Sequence, residues 1–127
     1  MRNSNGSISA FVVCFAMSII SLAGLVFDGG RVIAEYARTS DLAENAARIG
    51  CQQISGIREG RPHLNTSLAQ SEMLKYLRDR NIQGKTLVED GGAQVTITRV
   101  VSTKFLVLIG IRERTVKVTR SARVVSG

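Results

Sequence analysis

From Ile8 to Phe27 the chain runs for twenty positions without a charged side chain, and charge returns at Asp28. A helix rises about 1.5 Å per residue, so this run reaches roughly 30 Å, the depth of a bilayer's hydrocarbon core. Burying such a helix on all sides within 127 residues would consume most of the available core, which sets aside a soluble buried helix. A cleaved secretory signal is the stronger rival. Met1 and Arg2 make a minimal positive start, and Ser21-Leu22-Ala23 offers the small residues a signal peptidase prefers. The apolar run nevertheless exceeds the usual ~7–15 residues of such a signal and continues past that site through Gly24, Leu25, Val26 and Phe27. The pattern predicts a short polar tail over 1–7, a membrane helix over 8–27 and a single small domain over 28–127.

After Asp28-Gly29-Gly30-Arg31 the period stays helical to about Gly56. Val32, Tyr36, Ala43, Ala47, Gly50 and Ile54 recur on one side, and Arg38, Asp41, Glu44 and Arg48 fall largely elsewhere. The packing face is narrow and small, with Ala43, Ala46, Ala47 and Gly50 as its candidate contact residues. Such a face suits either tight internal packing or a bundle of several copies, and Ala47→Leu is expected to disturb assembly rather than the fold. Gly29 and Gly30 cost about 1 kcal/mol each in a helix interior, so a bend, hinge or break is expected there. Residues 57–66, with Gly60, Pro62 and Asn65, read as a loop. A second helix follows, with Ser67 as its cap, Gln70 at the capping-box position and Ala69, Met73, Tyr76 and Leu77 on one face, fading near Asn81.

Glu89-Asp90-Gly91-Gly92 then reads as a turn, and the period changes to two. Val95 and Ile97 alternate with Thr96 and Thr98, and Val116 and Val118 with Thr115, Lys117 and Thr119, which predicts two antiparallel strands. The expected class is α+β: one transmembrane helix, an Ala-rich helix, a second short helix and a small antiparallel sheet. Between the two strands lies Phe105-Leu106-Val107-Leu108-Ile109-Gly110-Ile111, too short to span a bilayer. It reads either as a buried strand or short core helix, or as a surface, flanked by Lys104 and Arg112, that docks on a partner or dips into a membrane interface.

Charge changes the picture only in part. Residues 28–127 hold sixteen of the seventeen Lys and Arg and all ten acidic residues, a formal charge of +6 that draws anionic partners. Arg112, Arg114, Lys117, Arg120 and Arg123 are the candidate anion-binding residues, for an acidic polymer or lipid headgroups. The scatter of the charges, the lack of Trp and the presence of only Tyr36 and Tyr76 argue against nucleic acid. Cys14 and Cys51 lie too far apart along a helix to pair, which leaves Cys51 as a small helix residue or an intermolecular crosslink. His63 is the sole histidine, and no Cys-x-x-Cys, Walker loop or Gly-x-Ser-x-Gly elbow accompanies it. No catalytic, cofactor-binding or metal residues, no cofactor and no small-molecule substrate are expected.

The N-terminal third carries a further signal. Gly6-Ser7-Ile8-Ser9-Ala10 leads into an apolar helix ending in Asp28-Gly29-Gly30-Arg31, and then into Ala43-Glu44-Asn45-Ala46-Ala47-Arg48-Ile49-Gly50. Over roughly residues 6–51 this resembles the N-terminal region of TadE/TadG-like proteins, pseudopilin-like components of tight-adherence pilus assembly in bacteria. The resemblance implies a non-enzymatic, single-pass protein of the bacterial cytoplasmic membrane, in a pilus or related secretion machine. Its partners would be the membrane and other pilus or secretion-system proteins, homologous subunits among them. Some relatives are cut by a prepilin peptidase after a Gly, with Glu at the fifth position beyond the cut. Here Gly6 and Ser7 would flank the cut and the fifth position is Phe11, which points to an uncut anchor in an assembly role.

Asp28 and Arg31, with the two glycines, form the expected membrane junction. Asp28 reads as a partner for an Arg or a neighbouring amino terminus, or simply as the first solvated residue. Arg2 precedes the span and Arg31 and Arg38 follow it, so the positive-inside count does not favour export. The short tail and the resemblance do, and the domain is expected outside the membrane. The alternative function is a membrane-tethered basic binding module.

Overall fold

The structure, a computed structural model, describes residues 4–56, 58–89 and 91–124. Met1, Arg2 and Asp90, named above, lie outside the described residues. The elements run α1 (Ser4–Cys51), β1 (Ile54–Ser55), β2 (His63–Leu64), α2 (Thr66–Asp79), β3 (Gly84–Glu89), β4 (Gly92–Ser102), a 3-10 helix (Leu106–Ile109) and β5 (Glu113–Arg123). The class is α+β, as expected.

The apolar run and the Ala-rich segment form one uninterrupted helix of 48 residues, roughly 70 Å long. The break expected at Gly29-Gly30 does not occur. Contacts on both sides of the pair hold the helix: Asp28 and Arg31 bond to the end of β4 and the loop after it, and Val32 packs on Val101, Val116 and Val118. The helix also begins at Ser4, inside the stretch expected to be a polar tail.

Only one stripe of α1 is covered. Gly24, Asp28, Thr39, Ala43, Ala46, Ala47 and Gly50 are buried, with Val32 and Glu35 half-buried between them, the three- and four-residue steps of a single helical face. Tyr36, expected on that face, is exposed, and Thr39 takes its place. The alanines meet Met73 and Leu77 of α2, Ile82, and Ala93, Val95 and Ile97 of β4 in one cluster. Small side chains permit this approach: a Cβ added to Gly50 would lie 2.6 Å from Met73 Sδ and 3.1 Å from Ala93 Cβ.

The sheet has the order β3-β4-β5, antiparallel throughout, with Ile97 opposite Val118 and Thr96 opposite Thr119. Ala93, Val95, Ile97 and Val101 of β4, with Val116 and Val118 of β5, face the helices. The other face is open and rich in threonine. β3 is an addition to the expected pair of strands. Its polarity is mixed: Val88 turns inward onto the core and Lys85 and Glu89 outward, but Thr86 faces in and Leu87 is half-exposed, so polarity marks it weakly. A second small pairing, β1 with β2, closes the 57–66 loop.

α2 starts two residues earlier than its capping-box pattern suggests. Asn65, not Ser67, is the cap: its side chain accepts from Leu68 N at 3.1 Å, donates to Ser55 Oγ at 3.1 Å, and its own N donates to Gln53 O at 2.8 Å. Asn is among the best caps, and the β1 end fixes it in place.

Two variants test this packing. Ala47 is fully buried inside the domain, so Ala47→Leu should lower stability by about 1–3 kcal/mol through overpacking. Thr39 is also fully buried, and its hydroxyl has no hydrogen-bond partner among the described residues. Thr39→Val should therefore raise stability by roughly 1 kcal/mol. Denaturant unfolding of the full chain in detergent reads both.

Candidate functional site

The junction between the apolar half of α1 and the domain is where the structure concentrates its polar chemistry. Asp28 is 1% exposed and receives three backbone N–H groups: Lys104 on Oδ1 at 2.9 Å, and Phe105 and Leu106 on Oδ2 at 2.8 and 2.7 Å. These are the donors that the start of the 3-10 helix leaves without intrahelical partners. Asp28 is thus not a solvated residue. Among charged side chains, Arg31 acts on it across the same junction.

Burial by itself pushes the Asp28 carboxyl up. The N–H groups of Leu106, Lys104 and Phe105 and the charge of Arg31 outweigh it and hold the group below its ordinary value. Arg31 is anchored separately, Nη1 donating to Ser102 O at 3.0 Å. One turn further along, Glu35 pairs with Arg99 of β4 at 2.8 Å. Below Asp28, Gly24 is buried under Phe105: a Cβ there would lie 2.6 Å from Phe105 Cβ. Phe27 meets the same ring edge-on, with centroids 5.3 Å apart.

Of the junction residues expected from sequence, Asp28 and Arg31 hold the loop, while nothing lies within 4 Å of a Cβ built on Gly29 or Gly30. Ala43, Ala46, Ala47 and Gly50 are internal packing residues of the domain, the first of the two alternatives left open for them. Gly6 and Ser7 lie exposed in the first turns of α1. The 105–111 run is not core, for Phe105, Val107, Leu108 and Ile109 are all exposed, Leu108 to 80%. The loop partners of Asp28 had no signal in the sequence, because they lie 76 to 78 positions away.

The five candidate anion-binding residues do not form one patch. Arg114 and Arg120 share the helix-facing side of β5 with Val116 and Val118, and Arg120 Nε donates to Ser40 Oγ at 2.9 Å. Lys117 and Arg123 point to the open face, and Arg112 sits in the loop before the strand. Lys117 shares a shallow depression with Lys85, Gln94, Thr96, Thr98 and Thr119. Cys51 is half-buried and its thiol donates to Ala122 O at 3.1 Å. Among the described residues, no group of three His, Cys, Asp or Glu side chains is placed to hold a metal.

A family match falls on the helix that carries this junction. Residues 6–53 match the TadE/G-like Flp pilus-assembly family. The span coincides with α1 and bears out the resemblance read from the N-terminal third. No curated protein and no solved structure matches the chain. The family match supports a role related to pilus assembly for this chain.

The Asp28 bonds make a prediction with a definite sign. The folded value of the carboxyl lies below the unfolded one, so the stability it contributes is present above the ordinary carboxylate range and lost as pH falls through the folded value. Asp28→Asn should melt lower than wild type at neutral pH, and the gap should close on acidification. At neutral pH the amides of 104–106 should exchange hydrogen faster in Asp28→Asn, and also in Gly24→Ala, whose new methyl displaces Phe105.

Proposed function

We propose that the chain is a non-enzymatic, membrane-anchored component of a TadE/G-type pilus-assembly or secretion system, pseudopilin-like in construction. Residues 8–27 span the bacterial cytoplasmic membrane once, and the domain from Asp28 onward lies outside it. The observation that carries this reading is the bare apolar half of α1. Ile8, Phe11, Val12, Val13, Phe15, Met17, Ile19, Ile20 and Leu22 are all more than half exposed, and the helix is long and apolar enough to cross a membrane. An apolar surface of that extent on a helix with internally satisfied backbone suits lipid, and suits equally the centre of a bundle of such helices.

The family match covers this same helix, which supports other pilus proteins, homologous subunits among them, as partners. Because the Ala43–Gly50 face is occupied within the domain, contacts with other subunits fall to the 8–27 surface. Phe11 at the fifth position after Gly6 favours an anchor that stays uncut.

Topology tests the reading. In a chain with Cys14 and Cys51 replaced by Ala, Thr98→Cys on the exposed sheet face should react with a membrane-impermeant maleimide in spheroplasts. Protection that ends only on permeabilisation would place the domain in the cytoplasm and overturn the reading. Loss of the gene should also remove surface pili, with recovery on re-expression of the intact chain.

A further inference from the structure

The ten residues Thr103–Arg112 join β4 to β5, and an ordinary hairpin needs far fewer. Their middle, Phe105–Ile111, carries no charge, and cations stand at both ends, Lys104 and Arg112. Four apolar side chains in it face outward: Phe105, Val107, Leu108 and Ile109. Most of its amides, by contrast, are bonded within the loop or to Asp28. Thr103 N donates to Arg112 O, the amides of Lys104, Phe105 and Leu106 donate to Asp28, and those of Leu108, Gly110 and Ile111 donate to Phe105, Val107 and Leu106 carbonyls. The Thr103 hydroxyl covers the Ile111 carbonyl. Bonding of this kind lowers the cost of moving the loop's amides from water to the edge of a lipid phase.

Position agrees with this. Phe105 packs on Gly24, four residues or about 6 Å along the axis toward the N-terminus from Asp28. The loop therefore lies beside the last turn of the apolar run and continues its surface through the Phe27–Phe105 contact. We propose that the 103–112 loop is a second membrane contact. Its apolar side chains enter the boundary between headgroups and acyl chains next to the α1 span, and Lys104, Arg112 and Arg31 stand at the level of the lipid phosphates. This rests on the reading of 8–27 as a span. With two points of contact and an unbroken helix, the bilayer sets the tilt of the whole domain.

The chain has no tryptophan, so a single introduced indole reports one place. Full-length Leu108→Trp, Ile19→Trp and Thr98→Trp chains would be reconstituted into phosphatidylcholine bilayers with lipids brominated near the top of the acyl chain. Leu108→Trp should emit to the blue of Thr98→Trp and lose most of its emission to the brominated lipid, while Thr98→Trp loses none. Ile109→Trp repeats the measurement should Leu108→Trp not fold. If Ile19→Trp is quenched, by this lipid or one brominated deeper, and Leu108→Trp is not, the span stands and the proposal fails. Blue-shifted emission at Leu108→Trp without quenching would mean burial against a second copy of the chain, and also overturns it. If Ile19→Trp escapes both lipids, the span itself is refuted.

Discussion

A single carboxylate joins the two halves of this molecule. Asp28 stands where the apolar run of α1 ends, and its two oxygens gather the first three free N–H groups of the loop between β4 and β5. Burying a carboxylate is unfavourable unless donors replace its water, and here the backbone of the loop supplies them. The bargain works in both directions. The 3-10 helix obtains the N-terminal acceptor it lacks, and α1 gains a fixed neighbour at the one level where its exposed apolar surface gives way to domain. Arg31 on Ser102 and Glu35 with Arg99 extend the same attachment up the helix.

Above these polar ties the contact becomes apolar and small. Ala43, Ala46, Ala47 and Gly50 let α1 settle closely on β4 and α2, so that Met73 reaches the space a side chain on Gly50 would fill. The C-terminal half of α1 is therefore the central core element of the domain, while most of its N-terminal half is bare. Because the helix passes unbroken through Gly29 and Gly30, any reorientation of the apolar half is also a reorientation of the sheet. The apolar half of the helix and the domain are thereby one lever rather than two parts on a hinge.

The elements whose signal is local were legible. The apolar run, the α2 face of Ala69, Met73 and Leu77, and the alternation of Val95 with Ile97 and of Val116 with Val118 all rest on side chains a few positions apart. Elements set by distant neighbours were not. β3 turns Leu87 outward and Thr86 inward against the order of Val88, Lys85 and Glu89, so its polarity signal is broken, and pairing with β4 makes it a strand. Asn65 outcompetes Ser67 as a cap because Gln53 and Ser55 hold it.

The candidate site divides in the same way. The sequence by itself determined that a membrane-length apolar helix would meet an acidic residue and two glycines, that an Ala-rich face would follow, and that an apolar stretch would interrupt the sheet. Each is a matter of composition and period along the chain. Only the tertiary structure decided that Asp28 closes on the loop, that the glycines lie inside a continuous helix, that the alanines pack inward and that the 105–109 side chains face out. Those outcomes depend on groups distant in the chain meeting in space, the partners of Asp28 and Arg31 lying 71 or more positions away, where burial and backbone pairing decide between arrangements that the local pattern leaves equal.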